Sequence, residues 1–242
     1  MIKALFERLK QGHRTMKFPA EGLQLPHRAL GLPKVRSARL EKAAAACPYG
    51  AIGGAGLDLG RCVFCGACAK ADPAAVEFSR DYRLCASSRA GLEVNSGDHA
   101  RAEALGAELR RPFGRSFKLR QVSDGGCNAC EADCNVLGTV GWDMGRFGIQ
   151  FVASPRHADG LLVTGPVTKN MELALRKTWD AMPSPRVAIA CGACAIGGGP
   201  YAGHQECAGL PADIPVSLYI PGCPPHPLTI LDGLLRLLGR IE

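Results

Sequence analysis

Three cysteines at two-residue gaps, Cys62-Val-Phe-Cys65-Gly-Ala-Cys68, form the sharpest chemical pattern in the chain. Equal steps let three thiolates wrap one corner of a cubane iron–sulfur cluster, and Gly66 leaves the backbone free to turn tightly and aim N–H groups at the sulfides. Structural zinc more often joins two separated Cys-x2-4-Cys knuckles. The even spacing therefore favours a 4Fe-4S cluster over zinc.

In ferredoxins of the bacterial type the run is C-x2-C-x2-C-x3-C-P, and its last cysteine serves the other cluster. The stretch Cys47-Pro48-Tyr49-Gly50-Ala51-Ile52 resembles the end of a first ferredoxin half whose own three-cysteine run is missing. By the crossing rule, Cys47 completes the cluster held by Cys62, Cys65 and Cys68. The reciprocal position, four residues after Cys68, is Asp72-Pro73, and loss of the cysteine there matches loss of the cluster it would have served. The competing reading makes Cys47 a buried thiol before a turn.

A second set of cysteines is dispersed: Gly125-Gly126-Cys127-Asn128-Ala129-Cys130-Glu131, Cys191-Gly192-Ala193-Cys194 and Pro221-Gly222-Cys223-Pro224-Pro225. Each piece follows a β-prone run. In an open parallel sheet such loops gather at the carboxyl edge, where ligands bind, so distant cysteines can converge there on one metal site. Spacing does not choose between Cys191 and Cys194. The first would end a buried strand as packing, and the second would lie in the loop. Cys85, Cys134 and Cys207 read as structural filler, although Cys134 stands four residues after Cys130. Arg156 and His157 read as loop or interface residues.

The elements that must position these groups follow from composition and periodicity. Ile2, Leu5, Phe6 and Leu9 repeat at helical spacing among Lys3, Arg8, Lys10, Arg14 and Lys17, an amphipathic helix for an anionic membrane surface, a membrane subunit or its own domain. Residues 1–40 are this helix and an extended lead-in with Pro19, Pro26 and Pro33. Residues 41–95 suit a small ferredoxin-like α+β module stapled by metal, and residues 96–116 a linker. Beyond it, β-prone runs at residues 117–122, 149–153, 160–164, 186–190 and 216–220 alternate with helical patterns. That alternation predicts a C-terminal α/β domain over residues 117–242, flavodoxin-like, with a mainly parallel sheet and helices on both faces. A last helix is predicted near Pro225 and Pro227, with Leu231, Leu234, Leu235 and Leu238 on its apolar face and Arg236 and Arg240 toward its end.

Length and composition set the frame. The chain has 242 residues, 47% of them hydrophobic, enough for one large or two modest cores. Neither a secretory signal nor an apolar run long enough to span a bilayer is evident. A reducing cytoplasmic setting follows, in which Cys-x-x-Cys pairs mean metal or redox chemistry. The net charge of +7 is scattered and aromatic residues are only 6%, so nucleic acid is not an expected partner. Neither a dinucleotide nor a triphosphate fingerprint occurs, and no hydrolase elbow is recognisable.

The C-terminal domain resembles the small subunit of membrane-bound, formate-hydrogenlyase-type NiFe hydrogenases and its relative in NADH:quinone oxidoreductase, which carries the terminal cluster before quinone. The resemblance rests on residues 124–131, Ser154-Pro-Arg-His-Ala-Asp159, residues 161–165, Gly192-Ala-Cys194 with Gly197-Gly198, and residues 216–225. It implies one 4Fe-4S cluster on Cys127, Cys130, Cys194 and Cys223, and a place for Glu131 in a proton path; a helix N-terminal carboxylate is the alternative for Glu131. The spaced pair Cys127 and Cys130 fits the hydrogenase type, since the quinone-reducing relatives typically have adjacent cysteines. The N-terminal half departs from both patterns and looks like a fused neighbouring subunit.

Together these readings predict an iron–sulfur electron-transfer subunit with two 4Fe-4S clusters and no complete active site of its own. Its partners would be a large NiFe-hydrogenase-like or quinone-site subunit, further iron–sulfur or donor subunits, and membrane subunits. It would lie on the cytoplasmic face of the cell membrane. The alternatives are the same subunit in a quinone-reducing, ion-pumping complex, and a metal-stabilised scaffold.

Overall fold

The computed structural model describes residues 2–36, 40–54, 56–96 and 99–241. Helix α1 (Ile2–Gln11) is followed by a lead-in and by β1 (Pro33–Val35), α2 (Leu40–Ala45), β2 (Ile52–Gly53), β3 (Gly56–Asp58), α3 (Ala67–Ala71) and β4 (Val76–Phe78). Strands β1 and β4 pair antiparallel, and α2 packs on α3. This strand–helix–strand–strand–helix–strand order is the ferredoxin-like arrangement. Strand β5 (Glu93–Val94) joins the β2–β3 hairpin to make a three-stranded antiparallel sheet. A small core of Val35, Leu40, Ala43, Leu57, Leu59, Val76 and Leu92 fills the module, with Cys62 and Cys68 among its buried members.

After the short α4 (Ala107–Arg110) come β6 (Phe117–Ser123), α5 (Ala129–Val136), β7 (Ile149–Phe151), β8 (Gly160–Thr164), α6 (Lys169–Asp180), β9 (Val187–Cys191), α7 (Ala193–Gly197), β10 (Val216–Ile220) and α8 (Pro227–Leu237). Their five strands form one sheet in the order β10-β9-β8-β6-β7, and every pairing is parallel. The central strands read Gly-Leu-Leu-Val-Thr and Val-Ala-Ile-Ala-Cys, buried at every position, as a sheet covered on both faces requires. Alternation then sorts their side chains. Phe117, Leu119, Leu162, Ile189, Cys191, Leu218 and Ile220 pack with Cys134 of α5 and the leucines of α8. Val122, Leu161, Val163, Ala188 and Ala190 pack with Leu175 and Trp179 of α6 and Ala195 of α7. The predicted parallel sheet with helices on both faces is what the chain forms.

Helix α8 departs from the amphipathic pattern read in its sequence. Pro227 starts it as expected, yet every residue from Pro227 to Leu237 is buried, including the Asp232–Arg236 ion pair at 3.0 Å. The cover comes from far up the chain, because Phe18, Leu25, Tyr82, Cys85, Ala102 and Phe113 belong to the same core as α8. The two halves also share backbone hydrogen bonds. Ala86 N–H donates to Tyr219 at 3.1 Å, and Tyr219 N–H donates back to Ala86 at 2.9 Å, closing the outer edge of β10. No helix among the described residues is long and apolar enough to cross a membrane.

Candidate metal centres

The first cysteine group is built on the ferredoxin-like module. Cys47 closes α2 through its N–H to Ala44 at 3.0 Å, and the chain returns through the β2–β3 hairpin to Asp58. Asp58 then anchors the loop: it accepts from Gly60 N–H at 2.8 Å and forms a two-pronged pair with Arg89 at 2.8 and 2.6 Å. From that anchor the backbone carries Cys62, Cys65 and Cys68, turning through positive φ at Phe64 (56°) and Gly66 (73°). Cys47, Cys62, Cys65 and Cys68 line one small pocket together with Ile52, Leu57 and Phe78. Two backbone N–H groups already point at sulfur, Ala51 to Cys47 Sγ at 3.3 Å and Phe64 to Cys62 Sγ at 3.4 Å.

Burial pushes the Cys62 thiol up to about 12; the Phe64 N–H works against this, and Cys68, Cys47 and Cys65 add repulsion. Burial raises the Cys68 thiol as well, so this buried pair gives up its protons readily only to a cation that takes their place. That is the electrostatic demand of a metal site. Among the described residues, no three His, Cys, Asp or Glu side chains converge tightly enough to hold a single metal ion. The four thiols line one pocket, and three of them stand at successive two-residue gaps, a donor pattern that fits a cluster better than zinc.

The second group stands at the carboxyl edge of the parallel sheet. Cys127 and Cys130 follow β6, with α5 entered through Asn128 at φ 69°. Cys194 lies in α7 after β9, and Cys223 follows β10. The last two loops are tied together, since Gly192 N–H donates to Ile220 and Ala193 N–H donates to Gly222, both at 2.8 Å. Gly192 is required there: its φ is 92°, and a Cβ would sit 2.6 Å from Cys130 Sγ. Burial raises the Cys130 thiol, and Glu131, Cys194, Cys134 and Cys223 raise it further. Burial likewise moves Cys194 up to about 11, with Cys223 and Cys127 next in effect. Burial also raises Cys223, so Cys130, Cys194 and Cys223 are each raised first by burial and then in part by another cysteine of the group. Cys127 and Cys223 are exposed, Cys194 is half-buried and Cys130 is buried.

The remaining cysteines sit elsewhere. Cys191, at the end of β9, and Cys134 are fully buried in the sheet core, and Cys85 lies under α8. Cys207 is half-buried and bridges to Thr168 in the loop beyond α7. Arg156 and His157 occupy an exposed single turn, Pro155–His157.

Glu131 is buried in the first turn of α5, where its Oε1 accepts from Thr164 Oγ1 at 2.6 Å. Burial alone would raise its carboxyl, but hydrogen bonds from Ser123 and Thr164 outweigh that and hold it below the usual range. It lines an open pocket with Arg120, Gln121, Ser123 and Asn135. Sequence reasoning overlooked its neighbour Asp124. That side chain is fully buried at the end of β6, and neither carboxylate oxygen has a hydrogen-bond partner. Burial and then the charge of Glu131 raise it to about 7. An acid at a strand end is too common a pattern to have marked it; its burial is a tertiary property.

The two cysteine groups open on one cleft of about 680 Å³. Phe64, Cys65 and Lys70 line it from the ferredoxin-like module, Cys223, Pro224 and His226 from the sheet edge, and Leu25 and Arg28 from the lead-in.

Residues 127–237, the span that holds the second cysteine group and the strands behind it, match the family described as NADH ubiquinone oxidoreductase, 20 Kd subunit. A "Probable membrane-bound hydrogenase subunit mbhJ" of Pyrococcus furiosus is 39% identical over 149 residues, 61% of this chain and 89% of that protein. This chain belongs to that family. A NADH-quinone oxidoreductase subunit of Desulfovibrio desulfuricans is 41% identical over 150 residues, covering 62% of this chain and 80% of the relative. Formate hydrogenlyase subunit 7 of Escherichia coli is 39% identical over 140 residues, 57% of this chain, which spans about half (55%) of that longer protein. The relatives are thus named as subunits of hydrogenase-type and of NADH-quinone oxidoreductase complexes.

Proposed function

We propose that this chain is an electron-relay subunit with two 4Fe-4S clusters, one on Cys47, Cys62, Cys65 and Cys68 and the other on Cys127, Cys130, Cys194 and Cys223. The observation that carries the proposal is the shared cleft, with Cys65 of one group and Cys223 of the other among its lining residues. When bound, the clusters supply the one-electron chemistry. The chain's own residues hold and tune them: thiolates ligate, the N–H groups of Ala51 and Phe64 stabilise negative sulfur, and Leu57, Ile52 and Phe78 keep water from the first site.

The second site has less cover of its own, since Cys127 and Cys223 are exposed. A large partner subunit closing over the carboxyl edge would supply that cover and exchange electrons there, while donor or further iron–sulfur subunits would meet the ferredoxin-like module. The complex would lie on the cytoplasmic face of the membrane. The spaced pair Cys127 and Cys130 and the hydrogenase-named relatives favour a hydrogenase-type complex, in which Glu131, held by Thr164, would pass protons to the partner's site. The similarity to a NADH-quinone oxidoreductase subunit keeps a quinone-reducing complex as the second reading.

Anaerobically purified full chain should be brown and contain about eight irons, from two cubanes of four. Electron paramagnetic resonance of the reduced protein should show two interacting paramagnets. A colourless, zinc-bearing chain would replace the relay with a metal-stabilised scaffold. Purified complex that reduces quinone yet neither makes nor consumes hydrogen would favour the second reading.

A further inference from the structure

Helix α1 buries none of its residues against the body of the protein. Ile2, Leu5, Phe6 and Leu9 are between 62% and 74% exposed, the largest cluster of uncovered apolar side chains in the described residues. At about 100° per residue these four fall within an arc of roughly 100°. Lys3 and Lys10 stand on one border of that arc, Arg8 on the other, and the single acid, Glu7, on the far side, where it accepts from Gln11 at 3.1 Å. Cations at both borders and an acid directed away match a helix lying in a bilayer interface, its lysines and arginine reaching to anionic headgroups.

The chain just beyond the helix is tied to the α/β domain. After Gly12, Thr15 Oγ1 donates to the Val140 carbonyl at 2.9 Å, Met16 N–H donates to Gly141 at 2.8 Å, and Arg146 donates to the Met16 carbonyl at 2.7 Å. Val140, which accepts from Thr15 at this tether, is itself 71% exposed.

We infer that α1, with Val140 beside its anchor, docks this chain on an anionic lipid surface. The inference rests on the membrane-associated part of the proposed function and not on the cluster assignment. Charge selects the occupant: Lys3, Arg8 and Lys10 border the stripe and the single acid, Glu7, faces away, which complements an anionic lipid surface.

The test is sedimentation of the full chain with vesicles of phosphatidylcholine alone and of phosphatidylcholine mixed with phosphatidylglycerol. Binding to the mixed vesicles should exceed binding to the neutral ones and weaken with salt. Replacing Lys3, Arg8 and Lys10 by Gln should lower affinity roughly fivefold per charge. Phe6→Glu should abolish binding, and Glu7→Gln should leave it unchanged or strengthen it. Because α1 contributes nothing to either core, these variants should keep the iron content and circular dichroism of the parent. Equal binding to both vesicle types, or no vesicle binding with α1 crosslinking only to another protein, would overturn the inference. Vesicle binding by a chain without iron would leave it standing and defeat the relay instead.

Discussion

Cys85 and Gly233 are locked together across the two halves of the chain: a Cβ on Gly233 would lie 2.5 Å from Cys85 Sγ, which donates to the Thr229 carbonyl at 3.3 Å. Glycine inside a helix ordinarily costs about 1 kcal/mol relative to alanine. Here that cost secures the close approach of the N-terminal segment to α8. Gly233→Ala should therefore destabilise by about 1–2 kcal/mol, the propensity gain being outweighed by overpacking. Adding Cys85→Ala should recover most of the loss. A denaturant double-mutant cycle measures the coupling, and additive effects would show that the contact is unimportant.

The close approach of Gly192 to Cys130 makes a second expectation concrete. Gly192→Ala should crowd Cys130 Sγ, strain a backbone held at positive φ, and impair metal loading at the sheet edge alone. Iron should fall from about eight to about four per chain, with the ferredoxin-like site still loaded. Retention of all the iron would show that Cys130 is not held where a cluster needs it.

Cys47 and Asp72 separate the ferredoxin crossing rule from simple proximity. Cys47→Ala should leave a labile or empty first site while sparing the second. Asp72 now serves as a turn acceptor, taking N–H groups from Ala74 at 3.1 Å and Ala75 at 3.2 Å at the end of α3. Asp72→Cys should cost about 1 kcal/mol and add no iron, since no second set of three thiolates accompanies it. Iron analysis of the full-length variants decides both, and a cluster gained on Asp72→Cys would refute the pairing.

Asp124 gives the fold a pH dependence of known sign. Its carboxyl is raised from the ordinary 3.8 to about 7, so the folded chain keeps a proton that the unfolded chain releases. Its contribution to stability is greatest below about pH 4, declines as pH rises toward about 7, and levels off above. Asp124→Asn should flatten that slope and raise stability at pH 8 by up to a few kcal/mol. Chemical denaturation across pH reads this directly; an unchanged slope would place the titration elsewhere.

The sheet was legible because its central strands are short, largely apolar runs rich in Val, Ile and Leu that alternate with helical patterns, as strands covered on both faces require. The cysteine groups were legible because ligand spacing is a local constraint. Helix α8 was legible as a helix but its complete burial was not, since its polar positions Asp232 and Arg236 look like a solvent face and are paired under cover instead. That cover, Leu25, Tyr82 and Cys85, lies more than a hundred positions earlier, beyond the reach of periodicity. The burial of Asp124 was hidden for the same reason.

The bridge from Ala86 to Tyr219 and the neighbouring bond from Cys85 to Thr229 also set a clock for biosynthesis. The latter partners are 144 positions apart, so at 5–20 residues per second the ribosome needs roughly 7–30 s to supply the second after the first. Through that interval Leu25, Tyr82 and Cys85 lack α8, which shares their core in the folded chain. The N-terminal segment therefore completes its packing only after the last helix has emerged, one of the final steps of synthesis rather than one of the first.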